Sequence, residues 1–337
     1  MDAARETTLT WDELDTLCRA AVRGSGGSER TAAALAASTV AAEQQGKVAV
    51  GAAHLLDYLD ALAEGRLVPD AIPGVQSTRA GVVRVDAAGG TAQAAFDAAF
   101  PAFVRAAGEV GVAVLSLRDG YSAGELGYYA RRVADRGLIA LVCANSPALM
   151  SVYSAPVPVT GTNPMAFALP HASGPRSFDQ ASSATAWVSV RAAADRSEPL
   201  PEGWALDAAG APTTDAGAAL DGALLPFGGA KGSNIALMVE MLAVLSGGMF
   251  SQDAAPFDSG STSPSLGLFV LALDPEAFDP GYSERVEQHL RALAERHGAD
   301  FGRRHPFPEN ATLPASLHAA LTAAARQDAA PQDGGAR

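Results

Sequence analysis

The chain has 337 residues, 48% of them hydrophobic, with 24 Lys and Arg against 37 Asp and Glu for a net charge of -13. A chain of this length spans about two domains and buries a large core, and an acidic balance without a basic run or basic-aromatic cluster excludes nucleic acid as a partner. Only two cysteines occur, Cys18 and Cys143, which fits a reducing compartment with both thiols buried, no disulfide and no zinc.

The first twenty residues carry acids and a Thr10, Glu13 capping box where a signal sequence would be basic and then apolar, and no apolar run is long enough to cross a membrane. A cytoplasmic protein without membrane contact is the expectation. From Thr10 to residue 45 the apolar spacing is helical, with Leu14, Leu17, Cys18 and Ala21 on one face, a Gly-Ser-Gly-Gly break at 24–27, and an alanine-rich helix after it. A third helix over residues 52–64 turns Leu55, Leu59 and Leu62 inward and stops at Gly65. The loop before it, 46–51, is placed to face a cleft.

A strand over 82–86, a glycine turn, a helix over 93–108 and an apolar strand over 112–117 form an α/β unit. Residues 118–124 then make a loop at a strand's end that feeds a helix through Gly127, Tyr128 and Tyr129, a favoured place for ligands. A buried strand over 138–143 follows, then a polar turn at Thr160-Gly161-Thr162-Asn163-Pro164 leading into a strand over 165–169. A small-residue turn begins at Phe178-Asp179-Gln180, and residues 200–215 make a long surface excursion. The last elements are a strand over 266–273, an amphipathic helix over 282–297 and a disordered tail over 326–337. No internal repeat is present.

The excursion returns to Pro226-Phe-Gly-Gly-Ala-Lys-Gly-Ser233, where a glycine-rich loop turns directly into a helix. Gly228, Gly229 and Gly232 let the backbone approach a ligand, and the free N–H groups and dipole of the helix start, beside Lys231, make an anion pocket. Ile235, Val239, Leu242 and Leu245 mark one helical face, with Ser233 or Asn234 as the cap. Neither the Walker A spacing nor a G-x-G-x-x-G fingerprint after an opening strand is present.

Five segments then occur in order: Gly161-Thr162-Asn163-Pro164, Asp179-x-Ala181-x-Ser183, Leu200-Pro-x-Gly-Trp204, Pro212-Thr-Thr-Asp215 and Gly228-Gly229-x-Lys231-Gly232. Over residues 10–275 the chain resembles the type 2 malate/L-lactate dehydrogenase family, which includes ureidoglycolate and sulfolactate dehydrogenases and Δ1-piperideine-2-carboxylate reductases. The resemblance implies an α/β fold of non-Rossmann type, with a mainly antiparallel sheet binding NADPH or NADH, a helical N-terminal part and a homodimer. The implied division is an N-terminal helical part at 1–75, a dimerisation and substrate domain at 76–117 with 266–325, and a cofactor domain at 118–265. Ser122, Gly124, Thr162, Asn163, Pro164, Asp179, Ser183, Lys231, Gly232 and Ser233 are the cofactor-binding positions it implies. After about residue 300 the likeness fades: the family closes with a Pro-Gly-Glu segment where this chain has His305-Pro-Phe-Pro-Glu309.

The departures fall on the substrate side. The family carries Gly-x-x-Ser-His-Gly-x-x-Arg in the loop entering the third helix, and the corresponding residues here are Gly46, Ala49, Val50, Gly51 and His54. Val50 stands at the acid/base histidine, His54 at the arginine that grips a substrate carboxylate, and Ser122 at a second histidine. Ketone reduction builds an alkoxide-like oxygen, so a positioned acid contributes about 10²- to 10⁴-fold, and valine supplies none. A protonated imine is already an electrophile and gives a neutral amine, so C=N reduction survives this loss best. Losing arginine also removes a bidentate carboxylate clamp.

His54, one turn beyond Val50, Asp179 and Tyr121 are the catalytic candidates, with Val50, Tyr58 and Ser122 lining the substrate pocket. Tyr128 and Tyr153 are further hydroxyls in reach of the implied cleft. An Asp179 carboxylate beside the nicotinamide would stabilise an iminium. The remaining histidines lack metal-ligand spacing, and no metal is expected. The leading expectation is an NAD(P)H-dependent reductase of a cyclic C=N bond in specialised metabolism, with NADPH favoured by the reductive role. Two alternatives stand beside it: a 2-oxo or 2-hydroxy acid dehydrogenase with His54 or Tyr121 as substitute acid, and a scaffold repurposed for a non-redox task.

Overall fold

The structure is a computed structural model, which describes residues 6–302 and 307–328. Its first helices follow the expected breaks. Strand β1 (Glu6–Leu9) leads into α1 (Trp11–Gly24), whose Thr10 and Glu13 form the reciprocal capping box. Helix α2 (Glu29–Gln44) and helix α3 (Ala52–Ala63) complete the N-terminal cluster. Leu55, Leu59 and Leu62 point into a core shared with Leu14, Cys18, Val22 and Leu35.

After β2 (Gly74–Arg79) and β3 (Val82–Asp86), helix α4 (Ala92–Val110) leads to β4 (Val112–Gly120). Helix α5 (Leu126–Ala134) precedes β5 (Ile139–Ala144), β6 (Met165–Leu169) and β7 (Arg176–Gln180). With β11 (Leu266–Leu273) these strands make one seven-stranded sheet in the order β2-β3-β4-β11-β5-β6-β7. Only the β3 and β4 pair is parallel, and every other neighbour is antiparallel.

Period-2 alternation places the two faces of this sheet. Ala113, Leu115, Leu117, Val142, Leu268 and Val270 pack on α4 and α5, while Cys143 and Phe269 pack on the other side against Val239 of α8 (Ala230–Leu245). Covered on both faces, β5 and β11 read as continuous apolar runs rather than alternating ones. The sheet passes through both expected domains, and the 117/118 division falls inside β4.

Several elements differ from the sequence reading. Phe178, Asp179 and Gln180, expected in a turn, lie in strand β7, because an exposed partner edge on β6 pairs them residue by residue. The excursion has its own core: α6 (Trp187–Asp195), β8 (Ala205–Leu206), β9 (Pro212–Thr213), α7 (Ala216–Leu220) and β10 (Ala223–Leu224) enclose Met150, Val190, Leu200 and Leu224. Helix α8 is apolar all round, so Leu245 is 72% exposed rather than inward, in line with exposed Met238 and Met241.

After α9 (Pro275–Phe278) and α10 (Tyr282–His297), β12 (Ala311–Pro314) pairs with β1. Helix α11 (Ala315–Asp328) then packs on α1, so this last segment joins the N-terminal core through Leu313 and Leu321. Residues 326–328, expected in the tail, are helical, and 329–337 lie outside the described residues, as does His305.

Candidate active site

Two helix starts carry the candidate residues. At α8 the cap is Gly229, with φ 62° and ψ -120°, a conformation that excludes a side chain, and no side chain caps the turn. This replaces the expected Ser233 or Asn234 cap. Ser233 is inside the first turn, with its Oγ donating to Gly229 O at 3.2 Å and accepting from Tyr153 N, while Asn234 Oδ1 accepts from the Tyr153 hydroxyl. Beyond Gly228 and Gly229 the space is open, and among the described residues Lys231 has no ion-pair partner. An uncapped helix start, open glycines and an unpaired ammonium fit the phosphates of a dinucleotide.

The polar turn at 160–164 holds this cradle from below. Asn163 is wholly buried with φ 38°, and its Nδ2 donates to Ala236 O at 2.9 Å and Glu240 Oε2 at 2.7 Å on α8. Ser182 Oγ donates to Asn163 O, and Phe227 N donates to Ser182 O, which ties β7 to the glycine turn. Ser183 is buried with its Oγ on Thr185 O. The side chains of Asn163, Ser183 and Ser233 are therefore committed within the protein. Thr162, Pro164, Gly124 and Gly232 offer mainly backbone, and Lys231 offers its charge. Asn163 Oδ1 is buried without a hydrogen-bond partner.

At α3 the helix start is built by a side chain. Gly51 has no cap of its own, and Glu43 on α2 reaches across so that its Oε1 accepts from Ala52 N at 2.8 Å. A Cβ on Gly51 would sit 2.3 Å from that oxygen, so the glycine is required by the contact. Burial pushes the Glu43 carboxyl up, against the opposing pull of the Ala52 hydrogen bond.

From this helix His54 projects to the turn after β4. Its Nδ1 lies 2.7 Å from Asp57 Oδ2 and its Nε2 lies 3.4 Å from Ser122 Oγ. Its ring meets Tyr58 edge-on, with centroids 5.0 Å apart. Tyr58 is buried, accepts from Gln93 Nε2 at 2.9 Å, and has its phenol pushed well up by burial. Val50 ends the single-turn helix over Val48–Val50 and is half-buried.

The other end of the same turn carries an ionic network that the sequence reading missed. Lys47 Nζ lies 3.0 Å from Asp179 Oδ2 and 3.4 Å from Glu125 Oε1, and Arg131 binds Glu125 through both Nη atoms at 2.8 and 2.7 Å. Asp179 Oδ2 also accepts from Gly127 N at 3.0 Å. Residues 122–127 thus touch His54 at one end and the Lys47 and Asp179 pair at the other, bringing loop 46–51, α3, α5 and β7 to one place. Lys47 leaves no local motif, because only the fold sets β7 against the loop before α3.

Tyr121 is tied into the packing around it. It is fully buried, its hydroxyl donates to Phe257 O at 2.8 Å, and its ring packs on Tyr58 and Phe257. Tyr128 is likewise buried with its oxygen accepting from Arg132, whereas Tyr153 lies exposed above the start of α8. A cavity of about 250 Å³ opens behind α5, lined by Tyr128, Arg131 and Gln44 among others, away from the glycine cradle. Among the described residues no group of three or more His, Cys, Asp or Glu is placed to hold a metal, and no helix is long and apolar enough to cross a membrane.

The family model described as malate/L-lactate dehydrogenase matches residues 9–314. The chain belongs to the malate/L-lactate dehydrogenase family. Within it, the chain is 40% identical over 294 residues to a Δ1-pyrroline-2-carboxylate/Δ1-piperideine-2-carboxylate reductase of Pseudomonas putida, covering 85% of this chain and 84% of that one. It is 36% identical over 289 residues to a (2R)-3-sulfolactate dehydrogenase (NADP⁺) of Chromohalobacter salexigens, covering 85% and 86%. The crystal structure of a Δ1-piperideine-2-carboxylate reductase from Pseudomonas syringae pv. tomato superposes with a TM-score of 0.83 at 33% identity, over 96% of this chain and 95% of that one. The family fold is thus the α/β, mainly antiparallel arrangement seen here, and the family is one of oxidoreductases.

Proposed function

We propose that this chain is an NADPH-dependent reductase of a cyclic imine, of the pyrroline or piperideine 2-carboxylate class for which its relatives are named. One observation carries the reading. A carboxylate, Asp179, is held by Lys47 and Gly127 next to the loop that carries Val50, which the resemblance puts at the histidine position of the family's acid. Such a site favours a substrate that is cationic at nitrogen over one that needs an acid at oxygen.

When bound, the cofactor supplies the hydride that reduces the C=N carbon. The Gly228-Gly229 turn, the first N–H groups of α8 and Lys231 hold its phosphates, and the backbone at Gly124, Thr162 and Pro164 lines its ring end. Asp179 faces the developing amine, His54 stands beside it as proton donor, and Val50, Tyr58 and Ser122 shape the pocket. Tyr121 supports the wall. The protein works in the cytoplasm as a homodimer. The exposed stripe Met238, Met241, Leu245, Met249 and Phe250 on and after α8 supports the dimer, since such a face calls for cover.

The test is thermal unfolding with NADPH and NADH, followed by cofactor oxidation with Δ1-pyrroline-2-carboxylate, Δ1-piperideine-2-carboxylate and a 2-oxo acid. A ligand at about 100 times its Kd stabilises by roughly 2.7 kcal/mol, so NADPH gives a clear upward shift and the imines react faster than the 2-oxo acid. No shift with either nucleotide in folded protein would remove the oxidoreductase reading.

A further inference from the structure

Of the 24 Lys and Arg residues only Lys47 and Lys231 are lysine, and both lie at the candidate site. Arginine is the fixed cation everywhere else, so what sets these two positions apart is the ammonium, a point charge whose three donors turn freely where a guanidinium holds a rigid fork. Lys231 stands beside the glycine cradle. Lys47 stands between two carboxylates, with Nζ 3.0 Å from Asp179 Oδ2 and 3.4 Å from Glu125 Oε1.

Glu125 is sealed from solvent, and Arg131 neutralises it through both Nη atoms, which leaves Asp179 as the partner of the Lys47 charge. Two carboxylates engage two of the three ammonium hydrogens, and the third is left over on a side chain one-third exposed. Asp179 is likewise half-used. Gly127 N and Lys47 Nζ both meet its Oδ2, and among the described residues its Oδ1 receives no hydrogen bond. The pair therefore presents one donor and one acceptor side by side, in a group of four residues whose charges balance.

We propose that Lys47 and Asp179 together read a carboxylate and a ring N–H: Lys47 grips the substrate's 2-carboxylate with its third hydrogen, while Asp179 Oδ1 accepts from the protonated imine nitrogen. This rests on the reductase reading and deepens it, because it makes the pair the device that separates a cyclic imino acid from a 2-oxo acid. In a cyclic imine 2-carboxylate one carbon bears both the nitrogen and the carboxylate, so its donor and acceptor are as close together as the ammonium and carboxylate that face them. The protonated form is a zwitterion and adds no net charge to a balanced group. A 2-oxo acid carries oxygen where the imine carries N–H, so it sets a second acceptor against Asp179 and brings an unpaired negative charge. Lys47 thus takes over the carboxylate clamp that the resemblance places at the position of His54.

Ring acids that cannot be reduced separate binding from turnover. In protein saturated with NADP⁺, titration calorimetry compares pyrrole-2-carboxylate with furan-2-carboxylate, which has oxygen in place of N–H, and with pyrrole-2-carboxamide, which has no charge. The unaltered protein binds pyrrole-2-carboxylate about tenfold or more tightly than either of the others, the size of one hydrogen bond to a charged group. Lys47→Met weakens both carboxylates about ten- to a hundredfold and leaves the carboxamide within about twofold. Asp179→Asn removes most of the preference for pyrrole over furan, since an amide turns its NH₂ toward the furan oxygen. Each comparison is made within one variant, so a general loss of folding does not imitate it. Equal binding of all three by the unaltered protein, or a Lys47→Met loss that includes the carboxamide, overturns the role of the pair. NADPH-dependent reduction of Δ1-pyrroline-2-carboxylate, measured beside it, tests the underlying reading. Turnover without the binding pattern sinks the role of the pair and leaves the reductase reading, and the binding pattern without turnover does the reverse.

Discussion

The loop before α8 and the loop before α3 both start a helix at the cleft, and they do it by opposite means. At α8 the turn is backbone: Gly229 takes a glycine-only conformation and leaves the first N–H groups without a side-chain cap. At α3 the turn is side chain: Glu43 reaches from α2 to cap Ala52, and Lys47 and His54 project from either side of it. A backbone cradle depends on a few glycines and tolerates change around them. A side-chain cluster is rewritten by single substitutions, and the proposed reading takes Val50 and His54 as such changes.

Substitutions on the two sides separate these roles. Gly232→Ala is the most damaging, because the added Cβ would lie 2.1 Å from Phe227 O, in backbone that has no room to move. It erases the NADPH-induced thermal shift, and an intact circular dichroism spectrum beside that loss places the damage at the cradle.

Lys47→Met comes next. It leaves Asp179 and the buried Glu125 with one cation fewer, and since Lys47 is itself about one-third exposed the loss of stability is about 1–3 kcal/mol, between the surface and buried limits. Urea unfolding measures this loss, and kcat falls about tenfold while the NADPH shift is retained. An equal loss of NADPH binding would show that the two sides are one unit.

Glu43→Gln has the smallest effect and the opposite sign. Burial raises the folded Glu43 above its ordinary 4.5, so its favourable contribution is complete below that value and is lost as pH rises through the folded value. At neutral pH the ionised carboxylate is therefore a cost, and glutamine keeps the acceptor for Ala52 N without the charge. Thermal melts show a rise of about 1–3 °C at pH 7 and none at about pH 4.

The sequence was a good guide where local chemistry decides. The capping box at Thr10, the strand limits at 82–86, 165–169 and 266–273, and the helix over 282–297 follow from turn residues and apolar period alone. It was a poor guide where contact partners decide. Asp179 lies in a strand because β6 offers an edge, and Leu245 is exposed because α8 is apolar on every side and only one side meets the sheet.

By itself the sequence determined the family and the non-Rossmann α/β class, because the segments that carry them each reside in residues close together along the chain. Only the tertiary structure decided that Lys47 pairs with Asp179, that Asp57 and Ser122 flank His54, and that the Tyr121 hydroxyl donates to Phe257 O. Those partners lie from three to more than a hundred residues apart, and hydrogen bonds and ion pairs act over a few ångströms of space whatever the separation in sequence.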